Sequence, residues 1–264
     1  MGAVELISID GSVQPTAGAT IPVADDGLYR GDGAFEVIRL YGGHPYALDE
    51  HLERLERSAA ALELPVERRL LEGEIDTLLK AAGEVDAALR LVVTRGGRRI
   101  AAVEPLPDRG ETVALATVTH SPTHILTGVK SLSYAANMQA TRLANGQGAD
   151  EALLVRPDRI VLEAPTSTIF WARADGTLHT PAIDTGILDS ITRRRVVEEL
   201  EVEEDEYTLE ELLSAGEAFL ASTVREVQPI TRIDDVELLL GGPRTVEARR
   251  AFDGVVERAL RENR

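Results

Sequence analysis

The sequence predicts a mixed protein of two domains, an α+β unit followed by a larger α/β unit. Three observations carry this expectation. The 264 residues are enough for two compact units of about 100 to 150 residues each. Apolar residues make up 44% of the chain, ample for packed cores. Apolar positions follow a helical period in some segments and short extended runs in others, with no internal repeat or low-complexity tract.

The smaller N-terminal domain is expected over residues 1–119. Val4 to Ile9 and Phe35 to Tyr41 read as strands, and Ala87 to Thr94 as a buried one. Asp49 to Leu62 reads as a helix because Leu52, Leu55, Ala59 and Leu62 recur at helical spacing before Pro65; Leu70 to Ala82 repeats the pattern up to Gly83. Thr112 to Thr119 is the last strand. Residues 120–127, with Pro122 and little periodicity, form the expected connection to the larger domain, 128–264. There a helix is expected over Ser133 to Asn145, followed by strands at Ala152 to Val155, Arg159 to Leu162, Thr168 to Ala172 and Leu178 to Thr180. Helices at Ile191 to Leu200 and Leu209 to Ala215, a strand at Ala218 to Ser222 and a closing helix from Pro243 to Glu262 complete it. The acidic stretch Glu198 to Glu211 reads as a solvated helix end and loop.

Composition narrows the chemistry. No run of about eighteen uncharged apolar residues occurs, and the N-terminus lacks a basic segment followed by an apolar one. Neither a membrane span nor a signal peptide is therefore expected, and cytoplasm is the default location. The formal charge of -17 argues against a nucleic-acid partner, because an acidic surface repels phosphodiester backbones. Cysteine is absent, which removes disulfides and thiolate chemistry, and no metal site is expected.

Lysine occurs only at positions 80 and 130. A desolvated lysine can lose its proton and attack a carbonyl, whereas arginine stays protonated, so Schiff-base chemistry has two candidates. Lys80 ends an amphipathic helix, where a cation is at home in water. Lys130 follows Gly128 and Val129 among mostly apolar neighbours, Leu132, Tyr134, Ala135 and Ala136, a setting that favours the neutral amine. Three further segments suit a phosphorylated pyridine aldehyde. The turn Gly186 to Ser190 enters a helix whose first amides, at Ile191 and Thr192, suit a phosphate, although Asp189 or Ser190 also reads as an ordinary N-cap. Hydroxyls at Ser222 and Thr223 follow an apolar strand, at the end where ligand loops gather. Glu163, beside Ala164 and Pro165, is a carboxylate suited to a protonated pyridine nitrogen, or simply a strand-end surface glutamate.

Taken in order, Gly31-Asp32-Gly33-Ala34-Phe35-Glu36, His51-Leu52-Glu53-Arg54-Leu55, Lys130-Ser131-Leu132-Ser133-Tyr134, Glu163, Leu188-Asp189-Ser190-Ile191-Thr192-Arg193 and Ser222-Thr223-Val224-Arg225-Glu226-Val227 span nearly the whole chain. This series resembles the class IV (fold type IV) aminotransferases, which include branched-chain and D-amino-acid aminotransferases, (R)-amine transaminases and aminodeoxychorismate lyases. The resemblance implies pyridoxal 5'-phosphate as cofactor and a homodimer. It makes Lys130 the Schiff-base lysine and the acid/base between substrate Cα and cofactor C4′. Arg54, Ile191, Thr192 and Thr223 become phosphate ligands, Glu163 faces the pyridine nitrogen, and Tyr134 lies near the phenolic oxygen. Two departures bear on specificity: the run after Glu163 is Ala164-Pro165-Thr166-Ser167-Thr168 where the family often has Gly-(Ser/Ala)-x-Ser-Asn, and Ser190 replaces a glycine.

An amino-acid substrate brings a carboxylate, for which arginine offers a planar fork. Arg30, Arg90 and Arg98 are the candidates, with Phe35 beside them, and for each arginine a structural ion pair is an equal alternative. The expected activity is ping-pong transamination from a branched-chain or other apolar L-amino acid to a 2-oxo acid such as 2-oxoglutarate. D-amino-acid or (R)-amine transamination and the aminodeoxychorismate lyase reaction are the rivals. Glu36 favours transamination, since some lyases place threonine there.

Overall fold

A computed structural model describes residues 5–262, and the chain forms two compact units. The first holds the residues up to Pro107, Val129–Tyr134 and the residues from Ala259 on; the second holds Asp108–Gly128 and Ala135–Arg258. This division departs from the expected 1–119, 120–127 and 128–264. The strand near Val113 pairs within the second unit's sheet, and the Lys130 segment pairs within the first.

The first unit comprises β1 (Leu6–Ile9), β2 (Ser12–Pro15), α1 (Asp26–Arg30), β3 (Gly33–Tyr41), β4 (His44–Pro45), α2 (Leu48–Ala61), α3 (Arg68–Ala82), β5 (Ala87–Thr94) and β6 (Arg99–Glu104). Val4, expected in the first strand, lies outside the described residues. The sheet runs β2-β1-β6-β5-β3-β4 with antiparallel pairing throughout. Alternation along β3 and β5 turns Ala34, Ile38, Leu40, Leu89 and Leu91 to one face, where Leu52 and Leu55 of α2 and Leu71, Ile75 and Leu78 of α3 close over them. Each leucine or isoleucine fully buried in this way contributes roughly 1.5 to 3 kcal/mol.

The second unit comprises β7 (Val113–Thr119), α4 (Ala135–Gly146), β8 (Glu151–Val155), β9 (Thr168–Ala172), β10 (Leu178–Pro181), α5 (Ile191–Glu199), β11 (Val202–Asp205), α6 (Leu209–Leu213), β12 (Glu217–Ser222), β13 (Glu226–Ile233), β14 (Val236–Glu237) and most of α7 (Pro243–Glu262). Its sheet runs β11-β10-β9-β12-β13-β7-β8, with β14 on β13. Pairing is parallel for β10–β11, β7–β13 and β7–β8. Both faces of β8 are covered: Leu153 and Val155 enter one core with Trp171 and Leu220, while Ala152 and Leu154 enter another with Ala140 and Ala144 of α4. A strand buried on both sides reads as a continuous apolar run.

Two expectations need correction. Arg159 to Leu162 does not form a strand, because its backbone divides its bonds between Leu154 of β8 and Tyr207, so no continuous ladder builds. Part of the acidic stretch is β11, an edge strand whose glutamates stay in water.

Candidate active site

Lys130 is placed by the first unit. Its carbonyl accepts from the Phe35 amide at 3.0 Å and the Leu132 amide donates to Gly33 at 2.8 Å, so the segment lies along β3 as a short added strand. Glycine at 33 permits the approach: a Cβ there would stand 2.5 Å from the Val93 carbonyl and 2.6 Å from Leu132 Cδ1. The Lys130 amide donates to Ser58 Oγ of α2 at 3.1 Å. Its Nζ stands 4.5 Å from the centre of the Phe35 ring, which Tyr134 meets edge-on at 5.3 Å. Lys80 is 74% exposed and paired with Asp76.

Helix α2 turns His51, Arg54 and Ser58 onto its buried face with Leu52 and Leu55. Opposite, the alternation that buries Ala34, Ile38 and Leu40 of β3 also buries Glu36 completely. Arg54 Nε donates to Glu36 Oε1 at 2.7 Å and Arg54 Nη2 to Oε2 at 2.7 Å, while His51 Nδ1 lies 2.8 Å from Oε2. Burial alone would push the Glu36 carboxyl up; the Arg54 charge and the bonds from Arg54 and His51 outweigh it and hold it at about 2. An ionised Glu36 only accepts, so His51 donates from Nδ1. Burial also keeps His51 below its ordinary value, despite Glu36. Glu36 and His51 sit in the quoted motifs, but the sequence marks neither as a binding residue. The available signal was a polar residue at each core-facing position of two otherwise apolar patterns.

In the second unit, the Glu163 carbonyl accepts from the Leu154 amide at 2.9 Å, and its Oε1 accepts from the Leu188 amide at 3.2 Å. Ile191 and Thr192 open α5 and are buried; Ser190 caps the helix by accepting from the Arg193 amide. Thr223 lies in the turn between β12 and β13. The hydroxyls of Thr166, Ser167, Thr168 and Ser222 are buried without a hydrogen-bond partner. Ala221 pairs with Thr168, which brings the ends of β9 and β12 together. A buried hydroxyl left unpaired costs about 1 to 3 kcal/mol, so these oxygens are suited to a polar ligand.

The candidate arginines are all ion-paired. Arg90 Nε donates to both oxygens of Glu104, at 2.8 and 3.0 Å. Arg98 pairs with Asp10, and Arg30, 76% exposed at the end of α1, stands 3.6 Å from Asp26. The structure brings Phe35, Tyr134 and Lys130 together and leaves these three arginines with other partners.

Each unit taken by itself holds donors that fit pyridoxal 5'-phosphate chemically: the first an amine for the aldehyde and a guanidinium for the phosphate, the second a carboxylate for the pyridinium and helix amides and hydroxyls for the phosphate. A family model described as amino-transferase class IV matches residues 33–233. Aminodeoxychorismate lyase of Bacillus subtilis is 32% identical over 258 residues, covering 88% of this chain and 87% of that protein. D-alanine aminotransferase of Listeria innocua is 32% identical over 272 residues, covering 92% and 93%. Among solved structures, the branched-chain aminotransferase of Thermoproteus uzoniensis with norvaline is similar with a TM-score of 0.86 and 29% identity, over 95% of this chain and 94% of that one.

Proposed function

The chain belongs to the class IV aminotransferase family, and from that premise we propose that it is a pyridoxal 5'-phosphate enzyme moving an amino group from an apolar, first of all branched-chain, L-amino acid to a 2-oxo acid such as 2-oxoglutarate. The reaction is ping-pong: the donor leaves as its 2-oxo acid before the acceptor enters. In this reading the enzyme works as a homodimer in the cytoplasm. The observation that carries it is Lys130, a lysine held at its backbone N and O, with Nζ over an aromatic ring, inside the matched family region.

When bound, the cofactor supplies an aldehyde carbon for the amino group and a ring that draws off an electron pair. Lys130 Nζ would hold the cofactor by that carbon and would serve as the acid/base that takes the proton from the donor's Cα. Phe35, which Tyr134 meets edge-on, faces the amine and limits where it swings. Glu163 would stabilise a protonated pyridine nitrogen, and Tyr134 would serve the phenolic oxygen. Arg54, the amides of Ile191 and Thr192, and Thr223 take the phosphate. Arg90 and Arg98 accept a substrate carboxylate only by leaving Glu104 and Asp10.

Adding an amino donor alone to the loaded protein bleaches the long-wavelength absorption, and a 2-oxo acid restores it. A lyase, the second reading favoured by the Bacillus relative, instead releases pyruvate with no acceptor. Screening leucine, D-alanine, D-glutamate and an (R)-amine separates the donor classes; no turnover with any of them removes the substrate assignment.

A further inference from the structure

The first unit carries more buried polar machinery than a single phosphate ligand needs. Arg54 does not meet the site as an isolated cation, since Glu36 occupies its Nε and Nη2 edge with two bonds of 2.7 Å. A guanidinium gripped along one edge is fixed in its plane, and the other edge of the fork points in one direction. Glu36 is in turn held by His51 Nδ1, from the turn of α2 preceding Arg54. His51 is itself wholly buried, and its Nε2 has no hydrogen-bond partner, so the bond to Glu36 sets its orientation. Two turns of one helix and one core-facing strand position thus form a chain of contacts, His51 to Glu36 to Arg54.

We propose that Glu36 and His51 are positioning residues for capture of the cofactor's phosphate: His51 orients the Glu36 carboxylate, and Glu36 fixes the plane in which Arg54 meets the anion. The inference rests on Arg54 being a phosphate ligand. It differs from a purely structural role, in which the trio joins α2 to β3 and serves every ligand alike. Orientation of Arg54 matters only to a ligand that carries a phosphate. Charge sharpens the distinction. Glu36 offsets the Arg54 charge, so replacing it by a neutral residue strengthens long-range attraction of an anion while loosening the guanidinium. Weaker phosphate binding after that change therefore identifies geometry as the larger effect.

The test compares pyridoxal 5'-phosphate with pyridoxal, which lacks the phosphate, on the full-length protein freed of cofactor. Binding is followed by absorbance, with inorganic phosphate as a competitor. Glu36→Gln and His51→Leu are expected to weaken pyridoxal 5'-phosphate and inorganic phosphate by about tenfold each, the size of one charge-assisted hydrogen bond. Pyridoxal binding is expected to stay within about twofold, so the ratio of the two affinities is the readout. His51→Asn, whose amide donates from near the place of Nδ1, is expected to restore the ratio. Equal losses for both ligands, or an unchanged ratio in Glu36→Gln and His51→Leu, overturn the proposal. Should His51→Leu fail to fold, Glu36→Gln and His51→Asn decide the same ratio. Arg54→Gln separates the two levels of inference. If it leaves the ratio unchanged, the phosphate role of Arg54 falls and this proposal with it; if it lowers the ratio while Glu36→Gln does not, only the positioning role falls.

Discussion

Lys130 and Lys80 are the same amine in opposite surroundings, and surroundings decide reactivity. Lys80 stands in water with Asp76 at 2.5 Å. Lys130 is tied at its backbone to α2 and β3 and presents Nζ to the face of Phe35. A cation over an aromatic face is attracted by about 0.5 to 2 kcal/mol, enough to bias a rotamer and too little to trap the amine. Borohydride reduction of the cofactor-loaded protein is therefore expected to label the tryptic peptide spanning residues 110–142 and to leave residues 70–90 unlabelled. Label in the second region would remove Lys130 from the chemistry. Lys130 was legible as a candidate from composition, since a chain with so few lysines offers few amines for an imine. Its placement was not: assigning it to the larger domain followed from order along the chain, whereas the bonds from Phe35 and Leu132 tie it to the smaller one.

Among the elements, α5 shows how a departure from family pattern has a local physical meaning. Ser190, where a glycine is usual, accepts from the Arg193 amide and caps the helix whose first turn carries Ile191 and Thr192. Ser190→Ala is expected to lower stability by about 1 kcal/mol and Ser190→Gly by only a few tenths, because glycine suits the cap backbone and lets water reach the amides. Urea denaturation of both variants checks this; equal losses would show that the serine acts through something other than the cap. Helices α2 and α3 were readable because Leu52, Leu55, Leu71, Ile75 and Leu78 repeat at helical spacing, and β5 because its run is apolar and bounded by a turn. Strand β13 was not, since Pro229 lies inside it and proline argues against a strand; here it stands opposite Phe219 of β12. Nor was β11, where Glu203, Glu204 and Asp205 read as solvated charge and main-chain pairing to β10 supplied what the side chains did not announce. The polar face of α2 was the most instructive omission. His51, Arg54 and Ser58 lie beside its apolar stripe, and only the strand opposite reveals that the same face is buried.

For the molecule as a whole, acid is the sharpest probe, because two effects of opposite sign meet. The net charge of -17 implies mutual repulsion that acid relieves, which would raise stability as pH falls. Glu36 acts the other way. Its carboxyl, about 2 in the folded protein and near 4.5 when unfolded, makes the unfolded chain bind more protons throughout that interval. The contribution, on the order of 3 kcal/mol, is fully present above 4.5 and disappears as pH falls through about 2. His51, His120 and His179 are each held below 6.5 by burial, so the same sign applies to them as pH drops below that value. Surface repulsion is screened beyond roughly 8 Å at physiological salt, whereas the buried Glu36 cluster is screened much less. At about 0.15 M salt, where that screening holds, stability is therefore expected to decline steadily from neutrality toward about pH 3. Glu36→Gln, which has no carboxyl to titrate, is expected to start lower at neutral pH and to decline less steeply between about pH 5 and 3. Parallel slopes for the two proteins in urea titrations at each pH would mean that the buried carboxylate does not govern the acid response. If repulsion were the larger effect, wild-type stability would instead rise on acidification, and lowering the salt would exaggerate the rise.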